Sequence, residues 1–216
     1  MDIITENFNL YYEHDCDESA EQLYNTLLIN GDSILHFFSL RKLKNKVDVI
    51  LYTTIEDYIA HINKCKYSYY EWMIADTFDG KVNIMSIDAC RKTNSHRNMC
   101  LDDYSKLIVH EFVHICQQEV NANSYGCEWF WEALATNLSG QSMEPTDVLY
   151  TKDELMFNYV NMPDAYAISY NLGQYMLQNL SHDLIYEYIS NPAILWNDTE
   201  KILISVKLSI PIEEVI

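Results

Sequence analysis

Two histidines four residues apart, inside an otherwise apolar run, set the tightest limit on how this chain can fold. Across residues 107–116 every position except His110, Glu111 and His114 is apolar or a cysteine, the pattern of a helix buried nearly all round. Burying three polar or ionisable groups there costs on the order of several kcal/mol unless they are paired or coordinate something. Positions four apart share a helix face, so His110 and His114 can reach one metal ion while Glu111 reaches a water bound to it.

A catalytic zinc ion takes three protein ligands and leaves a position open for water. Downstream, residues 127–137 read as a helix ending near Gly140 and carry two acids one turn apart on the same face, Glu128 and Glu132. The pair His110-Glu111-x-x-His114 followed by Trp129-x-x-Glu132-Ala133-x-Ala135-Thr136 resembles the gluzincins, the peptidase MA-like metallopeptidases with thermolysin-like and aminopeptidase branches. In that family the third ligand is a glutamate on the helix after the His-Glu helix, so the resemblance implies His110, His114 and Glu132 as ligands of Zn2+ and Glu111 as general base. Ala133 stands where the family commonly has glycine, and alanine is small enough for the helix packing to survive. Glu128 competes for the ligand role; otherwise it is a solvated carboxylate favoured by the helix dipole. Thr136, one turn after Glu132, is a candidate to hydrogen-bond the ligand or is an ordinary helical threonine.

Residues 166–177 resemble the family's later helix, whose first tyrosine donates a hydrogen bond to the oxyanion of the tetrahedral intermediate. That implied role falls on Tyr166, with Tyr170 next, although in a chain of 17 tyrosines an aromatic at helical spacing is usually core. Earlier segments read as a strand over Asn7 to Tyr12, then a helix or two broken near Gly31, with Ser19 and Gln22 in a capping-box pattern. A strand follows over Lys46 to Tyr52, then a helix capped by Thr53 or Thr54 through about Lys64. A hairpin with an Asp-Gly turn joins Trp72 to Asp76 with Val82 to Ile87. Farther on, Thr151 with Glu154 marks a helix start and Ser181 caps another.

This order resembles the N-terminal lobe of peptidase MA-like domains, in which the last strand before the His-Glu helix is an edge that pairs with extended substrate. By that likeness Asn83 to Ile87 receives a peptide as an added strand, or is an ordinary hairpin strand. Aminopeptidases of the group carry a glutamate near here for the substrate's free amine; Asn83-Ile84-Met85-Ser86-Ile87 has no acid. The expected fold is therefore α+β and zincin-like, one domain over 1–216 with a small mixed sheet and helices in an N-terminal lobe (about 1–120) and a mainly helical C-terminal lobe (about 121–216) flanking a cleft. The expected activity is that of an endopeptidase or specialised processing enzyme acting on a peptide or protein. A zinc-binding but inactive domain used for protein interaction is the alternative, against which Glu111, not itself a ligand, argues.

With 49% hydrophobic residues, four prolines and five glycines, the chain reads as folded and globular. A formal charge of −18 disfavours nucleic acid and anionic membrane as partners. The first residues lack a basic region followed by an apolar run, and no segment approaches a membrane span, so a cytoplasmic location is expected. The six cysteines have no Cys-x-x-Cys pair, which fits reduced thiols; Cys90 and Cys100 flank a loop and could in principle pair, but nothing in the sequence requires it. That loop is the most basic stretch of the chain, and its His96 reads as solvated, as a fourth ligand or as a substrate contact.

Overall fold

The structure, a computed structural model, describes residues 2–123, 127–144 and 150–209. The described residues are α+β: a five-stranded mixed sheet with α-helices. The chain divides into two compact units, Met1–Glu119 and Val120–Ile216.

The first unit holds the sheet. Its strands are β1 (Asp2–Ile4), β2 (Phe8–Tyr11), β3 (Val47–Tyr52), β4 (Ala75–Asp76) and β5 (Val82–Met85), in the order β1-β2-β3-β5-β4. The β2, β3 and β5 strands run parallel, and β1 and β4 are antiparallel edges. Alternation decides what covers each face. Phe8, Val47, Val49, Val82 and Ile84 meet Leu23 and Leu27 of α1 (Asp17–Phe37) and Ile108 and Phe112 of α4 (Leu101–Val120) around a wholly apolar core. The opposite face, with Tyr52 and Asn83, takes α2 (Ile55–Lys64), whose Tyr58 and Ile62 are buried. Thr54 caps α2, its hydroxyl accepting from Asp57 N at 3.1 Å. A short helix, α3 (Ile87–Cys90), follows β5 and is capped by Ser86.

Four local expectations need correction. Ser19 and Gln22 do not form a capping box. The α1 helix starts earlier, at Asp17, with no side-chain cap; Ser19 Oγ accepts from Ile87 N at 3.1 Å and Gln22 Nε2 donates to Ser105 Oγ at 2.6 Å. Gly31 does not break the helix, which runs through it to Phe37, and a Cβ there would make only an ordinary contact with Phe112, at 3.8 Å. The strand expected at the sheet edge, β5, is interior: β3 flanks it on one side and β4 on the other, and all four of its residues are buried. The hairpin itself forms, but its first strand is only Ala75–Asp76, since Asp76 Oδ1 turns to accept from Phe78 N at 2.9 Å and starts a 3-10 turn ending at Gly80, φ 67°.

The second unit is helical: α5 (Glu128–Leu138), α6 (Lys152–Phe157), α7 (Ala165–Asn179), α8 (His182–Ser190) and α9 (Pro192–Ser209). Thr151 with Glu154 makes a full capping box on α6, and Ser181 caps α8. The tightest packing joins α5 to α7 at Gly173. A Cβ there would run into the Ala133 carbonyl and the Asn137 amide, and Asn137 Nδ2 bridges the helices by donating to Ala133 O (2.8 Å) and Tyr170 O (3.0 Å). The small residue this contact demands is thus Gly173 on α7, and alanine at 133 is accommodated.

Candidate metal centre

The α4 helix begins with Cys100 and Asp103 satisfying each other's backbone: Asp103 Oδ2 accepts from Cys100 N at 3.3 Å, and Asp103 N donates to Cys100 Sγ at 3.4 Å. Asp102 and Asp103 complement the helix dipole in the first turn, and Lys106 pairs with Asp102 at 2.6 Å. Beyond this polar start the helix is buried without a break from Ile108 to Gln117. His110 and Glu111 are each 6% exposed and His114 9%.

The one-turn spacing puts the two imidazoles edge to face, with centroids 4.7 Å apart at 83°, and their Nε2 atoms 3.0 Å apart. His114 turns its other nitrogen, Nδ1, to Gln117 Oε1 at 2.8 Å. An amide oxygen only accepts, so Nδ1 carries the proton and the Nε2 lone pair of His114 faces His110. Gln117 is fully buried and escaped the sequence reading, although a glutamine three residues after His114 on a buried helix was itself a visible signal.

Glu132 lies mid-helix on α5, between the buried Trp131 and Ala133. His110 and His114 belong to the first unit and Glu132 to the second, and each residue of this group carries a side chain able to ligate a metal ion. Glu128 is not in this group; it is the first residue of α5, where a carboxylate complements the helix dipole. Thr136 donates to the backbone carbonyls of Glu132 (2.7 Å) and Ala133 (3.3 Å), so it is a helical threonine bonded to its own preceding turn. His96 is outside the group too, and its Nδ1 lies 3.3 Å from Thr93 Oγ1.

The donor set fits zinc. Four-coordinate Zn2+ with bonds of about 2.0–2.1 Å to nitrogen and oxygen places neighbouring ligand atoms roughly 3.3 Å apart, close to the histidine spacing. Two neutral imidazoles and a carboxylate are borderline donors of the kind zinc takes. Near Glu132, burial and then the Glu132 carboxylate push the Tyr159 hydroxyl well above the usual tyrosine range, so it stays neutral and accepts from Ser169 Oγ at 2.9 Å. Tyr166 is the second residue of α7 and 39% exposed. Tyr170 Oη accepts from Gln174 Nε2 at 2.8 Å.

Among the described residues no disulfide joins Cys90 to Cys100 or any other pair of cysteines, and Cys116 is fully buried. Among the described residues no helix is long and apolar enough to cross a membrane. No protein-family model matches this sequence, and comparison with curated proteins returns no significant match.

Proposed function

We propose that this chain is a zinc-dependent metallopeptidase of the gluzincin type, with a zincin-like fold, acting as an endopeptidase or processing enzyme on peptide or protein substrates. The observation that carries the reading is the pair of His110 and His114 Nε2 atoms, 3.0 Å apart on a buried helix face, with Glu111 beside the first of them. His110, His114 and Glu132 would hold the ion, which when bound supplies Lewis acidity and a water acidic enough to deprotonate near neutral pH.

The chain's own residues do the rest. Gln117 fixes the tautomer and plane of His114. Glu111, shielded from bulk solvent, takes a proton from the attacking water and returns it to the leaving amine. Tyr166, with its side chain partly in solvent, donates a hydrogen bond to the oxyanion as charge develops on it.

Elemental mass spectrometry on protein purified without a metal-affinity tag tests the site, with Glu132→Ala alongside. About one zinc per chain in the wild type and little in the variant is expected; none in either after zinc supplementation refutes the reading. A peptide library then tests turnover, with Glu111→Gln expected to keep zinc and lose hydrolysis. Zinc without turnover in the wild type would support the inactive, protein-binding alternative instead.

A further inference from the structure

Away from the metal ligands, the sheet unit sets a thiol, an imidazole and a carboxylate in line. His61 and Cys65 are one turn apart at the end of α2, and Cys65 Sγ lies 3.9 Å from His61 Nδ1. On its other side His61 Nε2 lies 3.1 and 3.3 Å from the two oxygens of Asp76. Asp76 is 7% exposed and also accepts from Tyr58 Oη, Asn83 Nδ2 and Phe78 N, each at 2.9 Å. A carboxylate held by that many donors accepts from His61 as well, so the ring carries its proton on Nε2 and turns the Nδ1 lone pair toward the thiol. Tyr52 stacks on the ring, with centroids 5.5 Å apart at 29°, and fixes its plane.

We infer that Cys65 is a nucleophilic thiol that exchanges with small soluble disulfides, with His61 as its base and Asp76 as the residue that positions His61. The thiol proton passes to His61 Nδ1 as Sγ attacks one sulfur of the disulfide. One S–S bond forms as the other breaks, and the departing thiolate takes the proton, so the disulfide is itself the oxidant. His61, Tyr52 and Lys64, the residue before Cys65, line an open groove of about 590 Å³.

The other cysteines lack this arrangement. Cys16, Cys90, Cys116 and Cys127 are buried, and burial pushes their thiols up, to about 11 for Cys16 and Cys127 and about 12 for Cys90. Cys100 is exposed, but its Sγ is engaged with Asp103, donating to Oδ2 at 3.0 Å. Cys65 is half-buried, between the exposed Lys64 and Lys66. The negative end of the α2 dipole opposes a thiolate there; that effect fades within the last turn and is screened by salt, whereas the imidazole acts at contact.

The full chain would be incubated with oxidised glutathione at neutral pH, and mixed disulfide at each cysteine followed by peptide mass spectrometry. Exposure alone ranks Cys100 first; the inference ranks Cys65 first, by about tenfold. His61→Gln should slow Cys65 about tenfold while Cys100, in the same sample, keeps its rate. Cys100 reacting first, or an unchanged Cys65 rate in His61→Gln, overturns the inference. Should His61→Gln unfold, revealed by reaction at Cys16 and Cys116, the wild-type ranking decides by itself.

Discussion

Replacing Gln117 by methionine removes the amide oxygen that accepts from His114 Nδ1 while keeping a side chain of similar length. The lost contact is a 2.8 Å hydrogen bond between a fully buried glutamine and a histidine 9% exposed, so water cannot readily replace it. Keeping the zinc-competent tautomer then leaves a buried N–H without an acceptor, at about 1–3 kcal/mol. The metal-free chain has an escape: the ring changes tautomer and donates from Nε2 to His110 Nε2, already 3.0 Å away. Zinc binding must reverse that change, so the cost falls on affinity more than on folding. At about 1.4 kcal/mol per tenfold, the expected loss is roughly tenfold to a hundredfold in zinc affinity, within the range for residues that orient a ligand. Competition against a chromogenic chelator measures it, and Gln117→Glu, which retains an acceptor, should bind zinc at least as tightly as wild type. A Gln117→Met protein with a wild-type circular dichroism spectrum and zinc affinity within about threefold of wild type would refute the argument that Gln117 sets the tautomer.

Gly173→Ala should destabilise the chain by about 1–3 kcal/mol, read from the urea midpoint, because the added methyl meets the Ala133 backbone carbonyl, which cannot swing away as a side chain can. Tyr166→Phe should lower kcat by roughly 10²–10³ with little change in zinc content or KM, as loss of an oxyanion donor does; unchanged turnover would remove Tyr166 from the mechanism. Burial lowers the His96 pKa below its ordinary 6.5, only partly opposed by Glu71. As pH falls through 6.5 the unfolded chain takes that proton before the folded one does. The stability contribution of neutral His96 is therefore complete above 6.5 and is lost as pH drops toward the folded value. Denaturation midpoints of wild type should thus fall more steeply below pH 6.5 than those of His96→Asn, and parallel profiles would contradict the assignment.

What the amino-acid order determined by itself was whatever the backbone settles within a few residues. Helical repeat put His110 and His114 on one face, and the apolar residues around them buried both. Local caps marked the starts of α2, α6 and α8 through Thr54, Thr151 and Ser181, and the β-branched run at Val47–Tyr52 made a strand. Tertiary structure alone decided the choice of partners. Ser19 and Gln22 could have closed a capping box, but their bonds reach groups 68 and 83 residues away, where burial leaves polar groups that must be satisfied. That β5 is interior followed from which strand hydrogen-bonded along its free side, a matter its own sequence does not encode. The same holds for the alignment of Cys65 and His61 with Asp76, and for the approach of α5 to α7 at Gly173. Periodicity and capping act over one helical turn or one strand pleat, whereas hydrogen-bond satisfaction and close packing are properties of the surfaces that meet in the folded chain.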